Sequence, residues 1–150
     1  MRPRGRSPGQ VGPEARSAAG SPLTVRIVRL GTARRPGEGL RIGTVRRPPR
    51  GVAKSEFARR NWYDVWYPLL SPSASTVKLA LAADTDAKWA AFTREFRREM
   101  SAPGAARTLD LLAALSHRAN FSVGCYCEDE FRCHRSVLRS LLEERGAKMR

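Results

Sequence analysis

Long apolar runs are missing from this 150-residue chain: nowhere are eighteen consecutive residues apolar, which leaves no segment suited to cross a bilayer as a helix. The opening MRPRGRSPGQ also lacks the apolar stretch that a secretory signal needs, so a soluble, cytoplasmic protein with no membrane partner is expected. Cysteine is scarce: there are three, all between positions 125 and 133. That layout excludes a disulfide framework joining distant parts of the chain and leaves thiol or metal chemistry. Acidic residues are few, 14 against 28 Lys and Arg, for a formal net charge of +14. The excess is uneven, because residues 23–60 hold eleven basic residues against only Glu38 and Glu56, while residues 61–100 balance. A basic segment concentrated in this way attracts phosphate-bearing partners, either an anionic small molecule or nucleic acid, although the same charge also serves solubility.

With 41% hydrophobic residues the chain can bury one core, and one domain is expected. Residues 1–22 mix Pro, Gly, Ser, Ala and Arg with almost no large apolar side chain, which cannot offset the entropy of ordering; they read as a disordered basic tail. From Leu23 the pattern becomes alternating and β-branched. Residues 24–30 and 40–45 predict two strands around the turn-rich stretch 31–39, and Pro48 and Pro49 force a loop afterwards, since each removes a ladder donor. Ser55 reads as the cap of a short helix towards Trp62, and residues 64–70 as an aromatic patch broken by Pro68. Ser73 or Ser75 opens a helix to Ala83. Asp84 or Thr85 caps a clearer one, in which Trp89, Phe92, Phe96 and Met100 recur at helical spacing as a core stripe. A further helix is expected from about Ala105 to Arg118, then a short buried strand over 121–127, and a last helix striped by Val137, Leu138, Leu141 and Leu142 that ends near Gly146. The fold class is therefore α/β: a single small domain over residues 23–150, with a mostly parallel sheet of three or four strands flanked by helices. Ligands in such sheets bind beyond the carboxyl ends of strands, which nominates the loops at residues 46–54 and 125–135 as two parts of one site.

The chemistry available concentrates in C-Y-C-E-D-E-F-R-C-H-R, residues 125–135, where the late strand hands over to the last helix. A helix N-terminus offers free N–H groups and a positive dipole end, so Cys133, beside Arg132 and Arg135, is expected to have a lowered pKa. Four readings compete. A phosphatase or rhodanese-like loop needs an Arg six residues after the nucleophilic Cys, and six after Cys127 stands Cys133; Glu128, Asp129 and Glu130 would also repel a phosphate. A zinc site built from Cys125, Cys127, Cys133 and His134 has suitable donors in an unusual spacing. A thiol-dependent or acid–base site would use Cys125 and Cys133 as thiols, His134 as proton carrier and Arg135 as anion clamp. The plainest reading has the cysteines filling space while Arg135 pairs with Glu128 or Asp129. No cofactor is favoured, and zinc is the one the residues admit.

These motifs resemble the YeaO-like proteins, the family of domain of unknown function 488 (DUF488). The family's late strand ending C-x-E, its acidic turn and its helix-opening C-H-R are matched by Cys125, Cys133, His134 and Arg135. The upstream pattern V-D-R-x-W-P-R-G-x-x-K is similar to residues 45–54, D-x-W to Asp64, Val65 and Trp66, and W-x-x-F-x3-[YF]-x-x-E to Trp89, Phe92, Phe96 and Glu99. Two departures stand out: Cys127 replaces the family's Glu, and Pro48 takes the place of its Trp. The resemblance implies a compact α/β fold over about residues 23–146, while the basic residues Arg46, Arg50 and Lys54 are retained and Glu128 is the carboxylate nearest to the missing Glu. The resulting expectation is an anion-binding or thiol-dependent site lined by Arg46, Arg50, Lys54, Glu128, Cys125, Cys133, His134 and Arg135. The alternatives are a nucleic-acid-binding protein acting through residues 1–60, with Trp62, Tyr63, Trp66 and Tyr67 as stacking surfaces, and a zinc-stabilised module.

Overall fold

The computed structural model describes residues 23–150; the tail expected to be disordered, residues 1–22, lies outside the described residues. Four strands, β1 (Val25–Arg29), β2 (Leu40–Gly43), β3 (Val65–Trp66) and β4 (Phe121–Cys125), form one sheet in the order β1-β4-β2-β3. Every pairing is parallel, as the alternation of strand and helix patterns implied. β4 lies between β1 and β2 with Phe121 opposite both Val25 and Leu40, and all five of its residues are buried. Residues 148–150 cover the outer edge of β1, through Val25 N–H to the Lys148 carbonyl and Arg150 N–H to the Val25 carbonyl.

Strand alternation divides the interior into two faces. Val25, Ile27, Ile42, Phe121 and Val123 point to one face and meet the helices. There α2 (Asp86–Met100) contributes Phe92, Phe96 and Met100, α3 (Pro103–Leu115) contributes Leu109 and Leu112, and α4 (His134–Glu144) contributes Val137, Leu138, Leu141 and Leu142. The short α1 (Ala74–Leu81) begins at Ser73, whose hydroxyl caps the Thr76 N–H, and Thr85 caps α2 in the same way. Pro103 is the first residue of α3 rather than a breaker before it, because the first helical position needs no N–H donor.

Loops cover the opposite face, and a buried cation holds them. The Arg41 side chain on β2 is fully buried and pairs with Glu38 at 3.0 Å. Its Nη1 donates to the Thr32 and Asn61 carbonyls at 2.9 and 2.7 Å, and its backbone N–H donates to Asp64 at 2.8 Å. One side chain thereby fastens residues 31–39 and 57–64 against the sheet. The approach is close: a Cβ at Gly43 would lie 2.4 Å from the Tyr63 ring.

Two local expectations are corrected. Residues 65–66, read as part of an aromatic patch, form β3, which is too short to show periodicity and is set by pairing Val65 with Ile42 and Trp66 with Gly43. Ser55 caps no helix: it lies inside a 3-10 turn, Lys54–Glu56, whose N-cap is Ala53. Replacing Arg41 by Met should leave Glu38 buried without its cation and cost about 3–5 kcal/mol, read as a lowered urea midpoint; the double change with Glu38→Gln should recover part of the loss.

Candidate functional site

The parallel pairing of β2 with β4 brings the carboxyl ends of both strands to one edge of the sheet. Thr44, one residue beyond β2, donates its backbone N–H and its hydroxyl to the Gly124 carbonyl at 3.0 and 2.9 Å. The Thr44 carbonyl lies 2.7 Å from Nε2 of His134, the first residue of α4. A carbonyl only accepts, so Nε2 carries the proton and Nδ1 keeps a free lone pair. Phe96 packs edge-on against the ring, and burial pushes the His134 pKa down to about 4, so the imidazole is neutral at neutral pH.

The Nδ1 lone pair looks onto sulfur. Cys133 Sγ lies 3.7 Å from it, and the donor atoms of Cys125, Cys133 and His134 all lie within 4.8 Å of one another, all three residues being buried. Cys125 Sγ is 3.7 Å from Sγ of Cys127, the exposed member of the set. The thiols interact too closely to ionise independently. Hydrogen bonds from Cys125 and Cys133, helped by the charge of Arg135, hold Cys127 well below the usual thiol range. Cys125 is pushed up by its hydrogen bonds to Cys127 and Cys133 and by burial. At Cys133 the Cys125 contact favours the thiolate, but the Cys127 hydrogen bond and burial outweigh it, and the pKa rises. The helix N-terminus therefore does not make Cys133 the anionic thiol, because that sulfur is buried behind one that ionises first.

Arg135 is 3% exposed, and its Nη2 donates to the Cys127 carbonyl at 2.6 Å. Neither Glu128 nor Asp129 pairs with it: Glu128 meets Arg29 at 3.4 Å in solvent, and Asp129 accepts from the Phe131 N–H. Its Nε is buried with no partner.

The basic loop is divided by the fold. Arg50 lines a cleft of about 680 Å³ beside the thiol cluster, together with Arg29, Arg47, Thr32, Trp62 and Tyr126. Lys54 lines a second hollow of about 350 Å³, with Phe57, Tyr63 and Asp64, on the other side of Pro48, which lines both, while Arg46 is exposed and lines neither. The Tyr126 hydroxyl donates to the Arg47 carbonyl at 2.9 Å, which joins the two loops. Sequence reasoning missed Arg29, Arg47, Tyr126 and Thr44. Arg29 was legible as the last residue of β1, since the carboxyl-end rule applies to every strand of the sheet. Of the aromatic residues considered for stacking, Tyr63 is buried and Trp62 packs edge-on against Tyr126.

The fold and this edge define a small parallel α/β domain with a thiol and imidazole cluster beside an arginine-lined cleft. A family model described as the active DUF488-N3 subclade matches residues 25–146. The chain belongs to the DUF488 family. No curated protein and no solved structure matches it. Among the described residues no helix is long and apolar enough to cross a membrane.

In metal-free protein at about pH 6, iodoacetamide should alkylate Cys127 about tenfold faster than Cys125 or Cys133, because it combines exposure with thiolate character. Peptide mapping after timed quenching reads the order, and preferential labelling of Cys133 would contradict it.

Proposed function

We propose that this protein binds a phosphate-bearing small molecule of nucleotide size in the cleft formed by the end of β1, residues 47–50 and Tyr126. The observation that carries the reading is the convergence of Arg29, Arg47 and Arg50 on one cleft, where the only carboxylate partner among the described residues is Glu128, at the solvent-exposed rim. Guanidinium forks match phosphate oxygens in pairs, and such charged hydrogen bonds are each worth roughly 1.5–3 kcal/mol. A volume of about 680 Å³ falls in the range of small-molecule sites, and Trp62 and Tyr126 supply an aromatic wall. Location supports it too, since the carboxyl edge of a parallel sheet is where ligands of such folds are held.

Nucleic acid is the second class of partner for the same charge. The small molecule is favoured because Tyr63 is buried, Trp62 lines the cleft beside Tyr126 and Tyr67 is half-buried and paired with Thr108, which leaves Trp66 as the one exposed ring of the four for stacking bases.

Isothermal titration with inorganic pyrophosphate, ADP and a mixed-sequence RNA separates the two. Pyrophosphate and ADP should bind, and Arg47→Ala or Arg50→Ala should each weaken ADP about tenfold. Arg46→Ala and Lys54→Ala should change it less than about twofold, as surface charges outside the cleft. Equal losses for all four variants, together with RNA binding that falls steeply with salt, would replace the cleft by a polymer-binding surface.

A further inference from the structure

Three donors, from Cys125, Cys133 and His134, meet where β4 gives way to α4, and Cys127 stands beside the first of them. The Cys125 and Cys127 sulfurs are 3.7 Å apart, Cys133 Sγ is 3.7 Å from His134 Nδ1, and the donor atoms of Cys125, Cys133 and His134 are mutually within 4.8 Å. Sulfurs of a disulfide would stand about 2.05 Å apart. Two thiolates sharing a tetrahedral zinc ion at about 2.3 Å each would stand roughly 3.8 Å apart, and a thiolate and an imidazole nitrogen roughly 3.6 Å. The two 3.7 Å distances are those of thiol hydrogen bonds, which exclude the first case and lie close to the second.

The surroundings of the donors supply two further observations. His134 commits its Nε2–H to the Thr44 carbonyl, the arrangement that fixes the tautomer of a metal-bound imidazole and aims the other nitrogen at the ion. Arg135 is buried, no carboxylate of the described residues pairs with it, and its Nε has no partner. A buried guanidinium requires a compensating anion. Three thiolates around a divalent ion carry a net charge of −1, so the centre keeps the compensation that the Cys127 thiolate gives Arg135 in the metal-free protein.

We infer that Cys125, Cys127, Cys133 and His134 hold a zinc ion as a tetrahedral Cys3His centre that pins the junction of β4 and α4. Binding forms three Zn–S bonds and one Zn–N bond and releases the remaining thiol protons to solvent; no electron is transferred. Cys127 is the outer ligand, since it is exposed while the other three residues are buried. Tyr126 lies between two ligands, so the ion would also fix the wall of the neighbouring cleft. The centre does not depend on the anion reading, because none of its ligands lines that cleft.

The test uses the full chain without a metal-binding tag, expressed with zinc supplied and purified without chelator. Plasma mass spectrometry should find about one zinc per chain, and cobalt exchange should give thiolate-to-metal charge transfer with the strong visible bands of a tetrahedral site. Cys127→Ser, at an exposed position, should remain folded by circular dichroism, lose about a third of the charge-transfer intensity and bind zinc at least about tenfold more weakly. His117→Gln, remote from the cluster, should keep full zinc, as should the cleft variant Arg47→Ala even if it binds no ADP. Less than about 0.1 zinc per chain after reconstitution of folded protein, with all three thiols free to a disulfide reagent, would overturn the assignment, as would stoichiometric iron or copper in its place.

Discussion

One hydrogen bond, from His134 Nε2–H to the Thr44 carbonyl at 2.7 Å, fastens the first residue of α4 to the sheet. It exists because β2 and β4 run parallel in register, which sets Thr44 beside Gly124 and turns its carbonyl towards the helix. On its other side Gly124 lets β1 and the residue after it close in, since a Cβ there would lie 2.6 Å from Leu30 and 2.9 Å from the Val28 carbonyl. Once His134 is held, its Nδ1 faces sulfur, and the next residue, Arg135, is carried into the interior against the Cys127 carbonyl. The position of the cluster is thus a consequence of strand register, transmitted through a single imidazole.

The sheet separates two tasks. Its helical face carries the larger apolar core, and α4 reaches the edge from that side. Its other face carries loops tied down by the buried Arg41, and those loops bear Trp62 and the start of the arginine-lined cleft. Tyr126, next along the chain from Cys125, belongs to the cleft and to the smaller apolar cluster that includes Cys125 and Cys133. A change on either side of the edge is therefore felt on the other through one residue.

How much of this was legible varied with the range of the signal. The stripe Trp89, Phe92, Phe96 and Met100 announces α2 because helical periodicity is local, and the handover from β4 to α4 is visible because a buried run meets a C-H-R triplet. β3 left no trace, since two residues carry no period and their pairing is dictated by β2. The candidate cysteines and His134 were visible as residue types, but which thiol is exposed depends on where β4 stops: it ends at Cys125, and the turn that follows leaves Cys127 in solvent. Arg46, Arg50 and Lys54 look equivalent in the sequence, and only the loop's path sends Arg50 to one cleft, Lys54 to another and Arg46 to neither. The burial of Arg135 had no local signal at all, because what surrounds it comes from the β4 loop and the sheet edge.

The state of the His134 ring is the most direct point of attack. The chain has two histidines, so His117→Gln leaves His134 alone in a long-range ¹⁵N–¹H spectrum of the imidazole. The expected result is a ring protonated at Nε2, bare of hydrogen at Nδ1, and unchanged from about pH 8 to about pH 5.5, since burial keeps it neutral. A proton on Nδ1, or a titration midpoint near the ordinary value of 6.5, would mean that the bond to Thr44 is not made and that the cluster is not assembled as described.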